Sequence, residues 1–139
     1  MWTGATTNNA EETIAAGVQF VQTLTVNPTV ALHGELGSGK TTFVKGMARG
    51  LGVDQDVASP TFALVHEYGD PVRLYHLDCY REPNPANWLS LGITDYFDAD
   101  AFTVIEWAEI IATLLPAEAL HLYFRHGRAE NIRLIEVGL

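Results

Sequence analysis

The amino-acid sequence predicts an α/β fold of three layers: a mixed sheet with a parallel centre and antiparallel additions, and helices on both of its faces. Two short apolar runs, Thr29–His33 and Phe102–Glu106, have the length and the bounding residues of strands buried in a parallel sheet. Strand-like composition recurs in two further pairs of segments that can form antiparallel hairpins. A chain of 139 residues suits one compact domain, which we assign to residues 1–139.

Composition and charge narrow the classes of function. Seventeen acidic residues against eight basic ones give a formal net charge of −9, and the basic residues are scattered along the chain. Because such a surface repels phosphate backbones, we expect any RNA to be reached only through a partner. Cys79 is the single cysteine, which excludes an internal disulfide and is compatible with a reducing cytoplasm. The polar N-terminus predicts neither a signal peptide nor a membrane span.

The first helix is predicted to begin after Asn8 or Asn9. Glu11 and Glu12 then fall in its first turn, where the positive end of the helix dipole favours anions. Its apolar face, which we expect to pack on the sheet, consists of Ile14, Val18, Val21 and Leu24.

The first buried strand leads into GELGSGKT, residues 34–41, which fits the pattern G-x-x-x-x-G-K-[ST] at every fixed position. Glycines let the backbone wrap around an anion, so that several N–H groups point at the β-phosphate of a nucleotide. Lys40 brings a positive charge to the β- and γ-phosphates, and the Thr41 hydroxyl can ligate Mg²⁺. We therefore predict a nucleoside triphosphate site whose contacts include Gly37, Ser38, Gly39, Lys40, Thr41 and Thr42.

The helix predicted after this loop has an apolar face and a stop at Gly50-Leu51-Gly52. The face consists of Phe43, Val44, Met47, Ala48 and Leu51. A strand, this loop and a helix in succession are typical of a P-loop NTPase-like fold, in which ligands lie beyond the carboxyl ends of the central strands. The approach to the first helix, from Thr6 to Thr13, either passes near the nucleotide base or only covers the core.

The remaining elements are predicted from composition and from turn residues. Strands 61–68 and 72–78 form an antiparallel hairpin, and a short helix 86–91 ended by Gly92 follows. Next come the buried strand 102–106 and a helix 108–115 ended by Pro116. Strands 120–124 and 131–137 form a second hairpin.

Two carboxylates end apolar strands of this sheet. Glu106 ends the strand that begins at Phe102, and Asp78 ends the apolar run that begins at Leu74. A magnesium nucleotide needs such a carboxylate beside the phosphate loop. We expect Thr41 and Glu106 to bind the metal, and Glu106, Asp78 and Lys40 to be the catalytic residues. The sequence leaves open which acid holds the metal and which orients water.

Two neighbours of these acids have open roles. Trp107 either stacks on the base or shields the site, or else it packs in the core. His76 either relays a proton beside Asp78 or is a hydrogen-bonded core histidine. No guanine-reading [NT]-K-x-D motif is present, which favours adenine.

Four blocks of sequence together resemble the TsaE family, the bacterial ATPase of tRNA threonylcarbamoyladenosine formation. They are GELGSGKTTF at 34–43, SPTF at 59–62 with Glu67-Tyr68, HLDCYR at 76–81 and IEW at 105–107. They fall in the order of the family and span most of the chain from Thr29 to Pro116.

The resemblance implies a cytoplasmic ATPase that acts with the TsaB and TsaD proteins in the modification of adenosine 37 of tRNAs that read ANN codons. It implies that Lys40 and Thr41 bind phosphate and Mg²⁺, that Glu106 is a metal or catalytic carboxylate, and that Asp78 assists. It also implies that the loop Ser59-Pro60-Thr61 senses the nucleotide. Thr61 and Trp107 thereby join the expected nucleotide contacts, and ATP or ADP with Mg²⁺ are the expected cofactors.

Two other functions compete with hydrolysis coupled to a larger assembly. The chain can be a binding module in which ATP only orders the loop from Val53 to Phe62 for docking. It can also be a small-molecule kinase, but six arginines spread through the chain leave little room for an arginine-bearing lid. No arginine finger is obvious, and the candidates are Arg49, Arg73 and Arg81.

Overall fold

The structure is a computed structural model that describes residues 2–54, 57 and 64–138. Its strands, in chain order, are β1 (Gly4–Thr7), β2 (Thr29–His33), β3 (Val65–Tyr68), β4 (Leu74–Asp78), β5 (Phe102–Glu106), β6 (Leu120–His126) and β7 (Arg133–Val137). Its helices are α1 (Ala10–Gln22), α2 (Lys40–Gly50), α3 (Pro85–Ser90), α4 (Ile93–Phe97) and a 3₁₀ helix at Ala108–Leu114.

The seven strands form one sheet in the order β1-β7-β6-β2-β5-β4-β3. The four central strands are parallel, because β2 pairs in parallel with both β5 and β6, and β5 pairs in parallel with β4. The outer pairings β1 with β7, β6 with β7, and β3 with β4 are antiparallel. This arrangement confirms the predicted mixed sheet with a parallel centre and antiparallel additions.

Both faces of the sheet are apolar, as the uninterrupted composition of β2 predicts. Val30 and Leu32 belong to one buried cluster, which also contains side chains of α1 and α2. Ala31, between them, belongs to a second cluster that contains Trp88 of α3 and Ile93 of α4. The helices therefore cover both faces, and the side chains of each central strand alternate between the two.

The predicted apolar face of α1 is only partly correct. Of the four residues expected there, Val21 is buried, whereas the other three are only partly buried. The buried stripe consists of Thr13, Ala16, Gly17, Phe20 and Val21. The reason is that α1 packs mainly on α2 rather than on the sheet. Small residues are needed there, since a Cβ on Gly17 would lie 2.3 Å from the carbonyl oxygen of Phe43.

The other elements follow the prediction, apart from shifts of one or two residues in the bounds of α3, β6 and β7 and the following differences. Strand β1 and helix α4 are additional. The segment after β5 is a 3₁₀ helix with a kink at Ile111, whose backbone is not helical, instead of a regular helix to residue 115. Strand β4 begins at Leu74 because Val72 lies in the preceding turn, and residues 61–63 of the predicted first hairpin strand lie outside the described residues. Among the described residues, no helix has the length and apolar character needed to cross a membrane.

Candidate nucleotide and metal site

The loop between β2 and α2 has the backbone conformation of an anion cradle. Gly37 and Gly39 have φ values of 78° and 103°, in the left-handed region that glycine adopts without strain. Helix α2 begins at Lys40, and its N-cap Gly39 provides no side-chain hydrogen bond. The N–H groups of the first helical turn therefore have no partner within the helix, and the positive end of the dipole lies at the loop. This combination favours a phosphate group.

A cavity of about 750 Å³ opens in front of the loop. Its walls come from the loop itself, from the ends of β4 and β5, from the start of α1 and from the start of β7. The lining residues are Asn9, Ala10, Thr13, Leu36, Gly37, Gly39, Lys40, Thr41, Thr42, Asp78, Tyr80, Arg81, Glu106, Trp107, Asn131 and Arg133. This volume is within the range of small-molecule and cofactor sites.

Lys40 is held inside this cavity. The residue is only 5 % exposed, and its Nζ donates a hydrogen bond of 2.6 Å to the carbonyl oxygen of Gly34. The same Nζ lies 4.3 Å from the centre of the Trp107 ring. Burial lowers the pKa of Lys40, and the nearby carboxylate of Glu106 opposes this shift. A partly desolvated ammonium group beside the loop interacts strongly with an anionic ligand.

Glu106 lies beside the first turn of α2 because of the register of the sheet. It pairs with Leu32 of β2 on one side and with Asp78 of β4 on the other. Val104, two residues earlier, belongs to the cluster of α1 and α2, so Glu106 projects from that same face of the strand. Its Oε2 accepts hydrogen bonds from Thr41 Oγ1 at 3.3 Å and from His76 Nε2 at 2.6 Å. The two residues that we predicted to bind the metal are thus in contact.

Asp78 is the second carboxylate of the cavity. Its Oδ1 accepts a hydrogen bond of 2.9 Å from the backbone N–H of Tyr80. Burial raises the pKa of Asp78, and the negative charge of Glu106 adds to the rise, whereas the Tyr80 N–H opposes it. A carboxyl group with a raised pKa, beside another acid in a cleft, is a candidate for proton transfer or for orienting water.

Trp107 has an unusual backbone conformation. Its φ of 58° lies in the left-handed region, where it is the only non-glycine residue among those described. For a bulky residue this conformation costs about 1–3 kcal/mol, and such residues cluster at functional sites. The ring lies over Lys40 and also contacts the ring of Tyr80, with 5.0 Å between centroids. Trp107 therefore covers the lysine at the loop end of the cavity, and its contact with a nucleotide stays a prediction.

The donor set fits Mg²⁺ carried by a nucleotide. Residues 2–54, 57 and 64–138 contain no cluster of three or more His, Cys, Asp or Glu side chains that could hold a metal ion. Mg²⁺ does not need such a cluster, because it prefers hard oxygen ligands and is commonly held by one or two protein oxygens together with phosphates. Thr41 Oγ1 and Glu106 supply oxygens of this kind. Within the loop, the buried Ser38 Oγ has no hydrogen-bond partner among the described residues.

Most of the residues predicted for the site lie around this one cavity. Seven loop and strand-end positions line it together with Trp107: Gly37, Gly39, Lys40, Thr41, Thr42, Asp78 and Glu106. Ser38 is buried within the loop, and Thr61 lies outside the described residues. Of the three arginines considered as fingers, Arg81 lines the cavity, whereas Arg49 and Arg73 do not.

Seven lining residues were not assigned to the site from the sequence. Leu36 lies in the loop and Tyr80 follows β4, so both are neighbours of residues that were assigned. Asn9, Ala10 and Thr13 belong to the approach and first turn of α1, for which a position near the base was left open. Arg133 begins β7, and Asn131 lies in the turn before it. Their position could not be predicted, because it depends on the antiparallel pairing of β7, which brings Arg133 beside Gly39.

The fold and the loop together define a P-loop NTPase-like protein. The four parallel central strands, the glycine-rich turn after β2 and the helix that begins at its lysine are the features of this class. The loop also lies beyond the carboxyl end of a central strand, where open α/β sheets bind their ligands.

Comparison with known proteins identifies the family within this class. Residues 7–134 match the family described as "Threonylcarbamoyl adenosine biosynthesis protein TsaE". The tRNA threonylcarbamoyladenosine biosynthesis protein TsaE of Bacillus subtilis is 40% identical over 122 residues, which cover 87% of this chain and 76% of that protein. The TsaE of Haemophilus influenzae is 43% identical over 76% of this chain and 68% of its own length. The crystal structure of Bacillus subtilis YdiB superimposes with a TM-score of 0.80 at 35% identity, covering 96% of this chain and 82% of that one. The chain belongs to the TsaE family.

Proposed function

We propose that the chain is an Mg-ATP-dependent ATPase subunit of tRNA threonylcarbamoyladenosine biosynthesis. In this proposal it acts with the TsaB and TsaD proteins in the modification of adenosine 37 of tRNAs that read ANN codons, and ATP hydrolysis resets the assembly. Membership of the TsaE family supports the place in tRNA modification. The contact between Thr41 Oγ1 and Glu106 Oε2, in the cavity that contains Lys40, is the observation that carries the enzymatic part.

The polar residues at the phosphate loop and at the ends of β4 and β5 have separate roles in this proposal. The loop and the first turn of α2 bind the phosphates, and Lys40 adds a positive charge. Thr41 and Glu106 would hold Mg²⁺, which when bound supplies charge neutralisation on the phosphate oxygens. Asp78, on the neighbouring strand, orients the attacking water and accepts its proton. The nucleoside would then contact the walls of the cavity at Asn9 and Arg133. Adenine is the favoured base, because the chain lacks the guanine-reading motif.

Two exposed side chains at the cavity support a partner that docks there. Leu36 of the loop is 86 % exposed and Tyr80 is 64 % exposed, although both are large and apolar or aromatic. Aromatic side chains such as that of Tyr80 are enriched in protein interfaces, and Leu36 adds exposed apolar surface at the same cavity. The net charge of −9 disfavours direct contact with RNA, so tRNA is reached through the partner proteins.

The test measures ATP hydrolysis by the purified protein alone and together with TsaB and TsaD. We expect slow turnover alone and faster turnover in the mixture. Glu106→Gln keeps the shape of the side chain but removes its charge, and we expect it to lower turnover by roughly 100- to 1,000-fold. Glu118→Gln is the matched control, because Glu118 is exposed and precedes β6, at the opposite edge of the parallel strands.

Two results would contradict this proposal. Equal turnover with and without the two proteins would refute partner gating. Parent-like turnover by Glu106→Gln would refute the enzymatic role of the carboxylate.

The exposed Leu36 and Tyr80 also favour a second candidate function, a nucleotide-dependent binding module. In that case ATP binding controls docking, and hydrolysis is not essential. Glu106→Gln would then bind TsaB and TsaD in the presence of ATP and still support tRNA modification.

A further inference from the structure

We propose that His76 is a positioning residue for Glu106. Its Nε2–H holds one carboxylate oxygen, so that the other oxygen remains available to a ligand in the cavity. This inference rests on the proposed function, because it assumes that Glu106 is the metal-binding carboxylate.

The register of β4 and β5 creates the contact. His76 pairs with Val104, and Asp78 pairs with Glu106, so all four side chains lie on the face of the sheet that packs against α1 and α2. His76 is thus the diagonal neighbour of Glu106. The result is the hydrogen bond of 2.6 Å between His76 Nε2 and Glu106 Oε2.

Burial leaves the imidazole with one hydrogen-bond partner. His76 is 0 % exposed, and its Nδ1 has no hydrogen-bond partner among the described residues. A carboxylate oxygen accepts hydrogen bonds, so Nε2 of His76 is the donor in the bond to Glu106. The role proposed for His76 depends on this donor and not on the charge of the ring.

The bond restrains the carboxylate without occupying all of it. Glu106 Oε2 accepts from both His76 and Thr41, whereas Oε1 has no partner among the described residues. Glu106 lines the cavity, so this second oxygen is the one left for a metal ion or its water. Hydrogen bonds from a buried neighbour to a ligating side chain commonly fix its orientation and strengthen metal binding.

Three substitutions separate this role from simple packing. His76→Leu has a similar volume but no donor, whereas His76→Gln places an amide N–H at a similar reach to Nε2. His76→Asn provides a donor that is too short to reach Glu106, and it keeps the test available if the leucine variant does not fold. Thermal unfolding establishes that each variant is folded before the comparison.

The main measurement is equilibrium binding of a non-hydrolysable ATP analogue, with Mg²⁺ and separately with EDTA. Mg²⁺ should increase the affinity of the parent protein for the analogue. We expect this increase to be roughly 10- to 100-fold smaller in His76→Leu and His76→Asn, because a hydrogen bond to a charged group is removed. Affinity in EDTA should be unchanged, and His76→Gln should stay within about threefold of the parent. Turnover should fall in the same order. Parent-like behaviour of His76→Leu, or equal losses in His76→Leu and His76→Gln, would overturn the proposal.

A double-mutant cycle distinguishes this inference from the proposed function. If His76 acts through Glu106, His76→Leu adds no further loss of Mg²⁺-dependent affinity in a Glu106→Gln background. A full additional loss there would show that His76 acts elsewhere, and would overturn only the positioning role. If Glu106→Gln alone leaves the Mg²⁺ effect intact, the metal-binding role of Glu106 is overturned, and the role of His76 with it.

Discussion

The crossing of α1 and α2 provides a quantitative test of the structure. Gly46 of α2 faces Gly17 of α1, and a Cβ built on Gly46 would lie 2.0 Å from the carbonyl oxygen of Ile14. Real Cβ atoms essentially never approach a heavy atom more closely than 3.0 Å. Gly46→Ala must therefore separate the two helices by about 1 Å, because the obstructing atom is backbone and cannot rotate away.

The expected loss of stability follows from two opposing terms. Overpacking of this kind costs about 3 kcal/mol, the upper part of the usual range, because a backbone must move. Alanine is favoured over glycine within a helix by about 1 kcal/mol. The net loss in the free energy of unfolding is then about 2 kcal/mol, which for a domain of this size lowers the Tm by about 6–10 °C.

Thermal and denaturant unfolding measure this loss directly. Lys45→Ala is the matched control, because Lys45 is the exposed neighbour on the same helix and its removal should change stability by less than about 0.5 kcal/mol. Gly17→Ala should also lower the free energy of unfolding. The loss in the Gly17→Ala/Gly46→Ala double variant should be smaller than the sum of the two single losses, because one separation of the helices accommodates both methyl groups. An unchanged or higher Tm for Gly46→Ala would refute the close crossing.

Two further predictions concern the cavity. Burial raises the pKa of Asp78, so the folded state binds a proton at this group more readily than the unfolded state does. The free energy of unfolding therefore falls as the pH rises from the ordinary carboxyl pKa of about 3.9 through the raised value. In thermal melts, Asp78→Asn should therefore raise the Tm at neutral pH but not below about pH 3.9. An equal rise in Tm at every pH would contradict this prediction. Arg133→Ala should weaken binding of an ATP analogue by about three- to tenfold, because Arg133 lines the cavity beside Gly39. The exposed Arg128→Ala is its control in the same titration, and equal effects of the two would contradict a local role.

The parts of the fold that depend on local pattern could be predicted from the sequence. The strands β2 and β5 have the predicted bounds, because an uninterrupted apolar run between turn residues has few alternatives. The start of α2 follows from the loop motif alone. The acids Glu106 and Asp78 could be placed near the loop, because the carboxyl ends of parallel strands meet at one edge of the sheet.

The parts that depend on tertiary contacts could not be predicted. Strand β1 consists of Gly4, Ala5, Thr6 and Thr7, which have no apolar alternation, and it exists because β7 provides its hydrogen bonds. The buried stripe of α1 was misplaced because hydrophobicity marks Ile14 and Val18, whereas a close helix crossing selects for small residues. The contact of His76 with Glu106 depends on strand register, although its position two residues before Asp78 on one strand was a usable signal.

The two sides of the cavity differ in how they are held. One side belongs to β4 and β5 in the interior of the sheet, whereas Asn9 and Arg133 come from segments that adjoin the outermost pairing, between β1 and β7. Strand β1 has a neighbour on one side only, and such edge strands open more easily than central ones. A molecule that contacts both sides of the cavity would therefore stabilise the pairing of β1 with β7. By thermodynamic linkage, any change that opens this pairing would lower the affinity for that molecule.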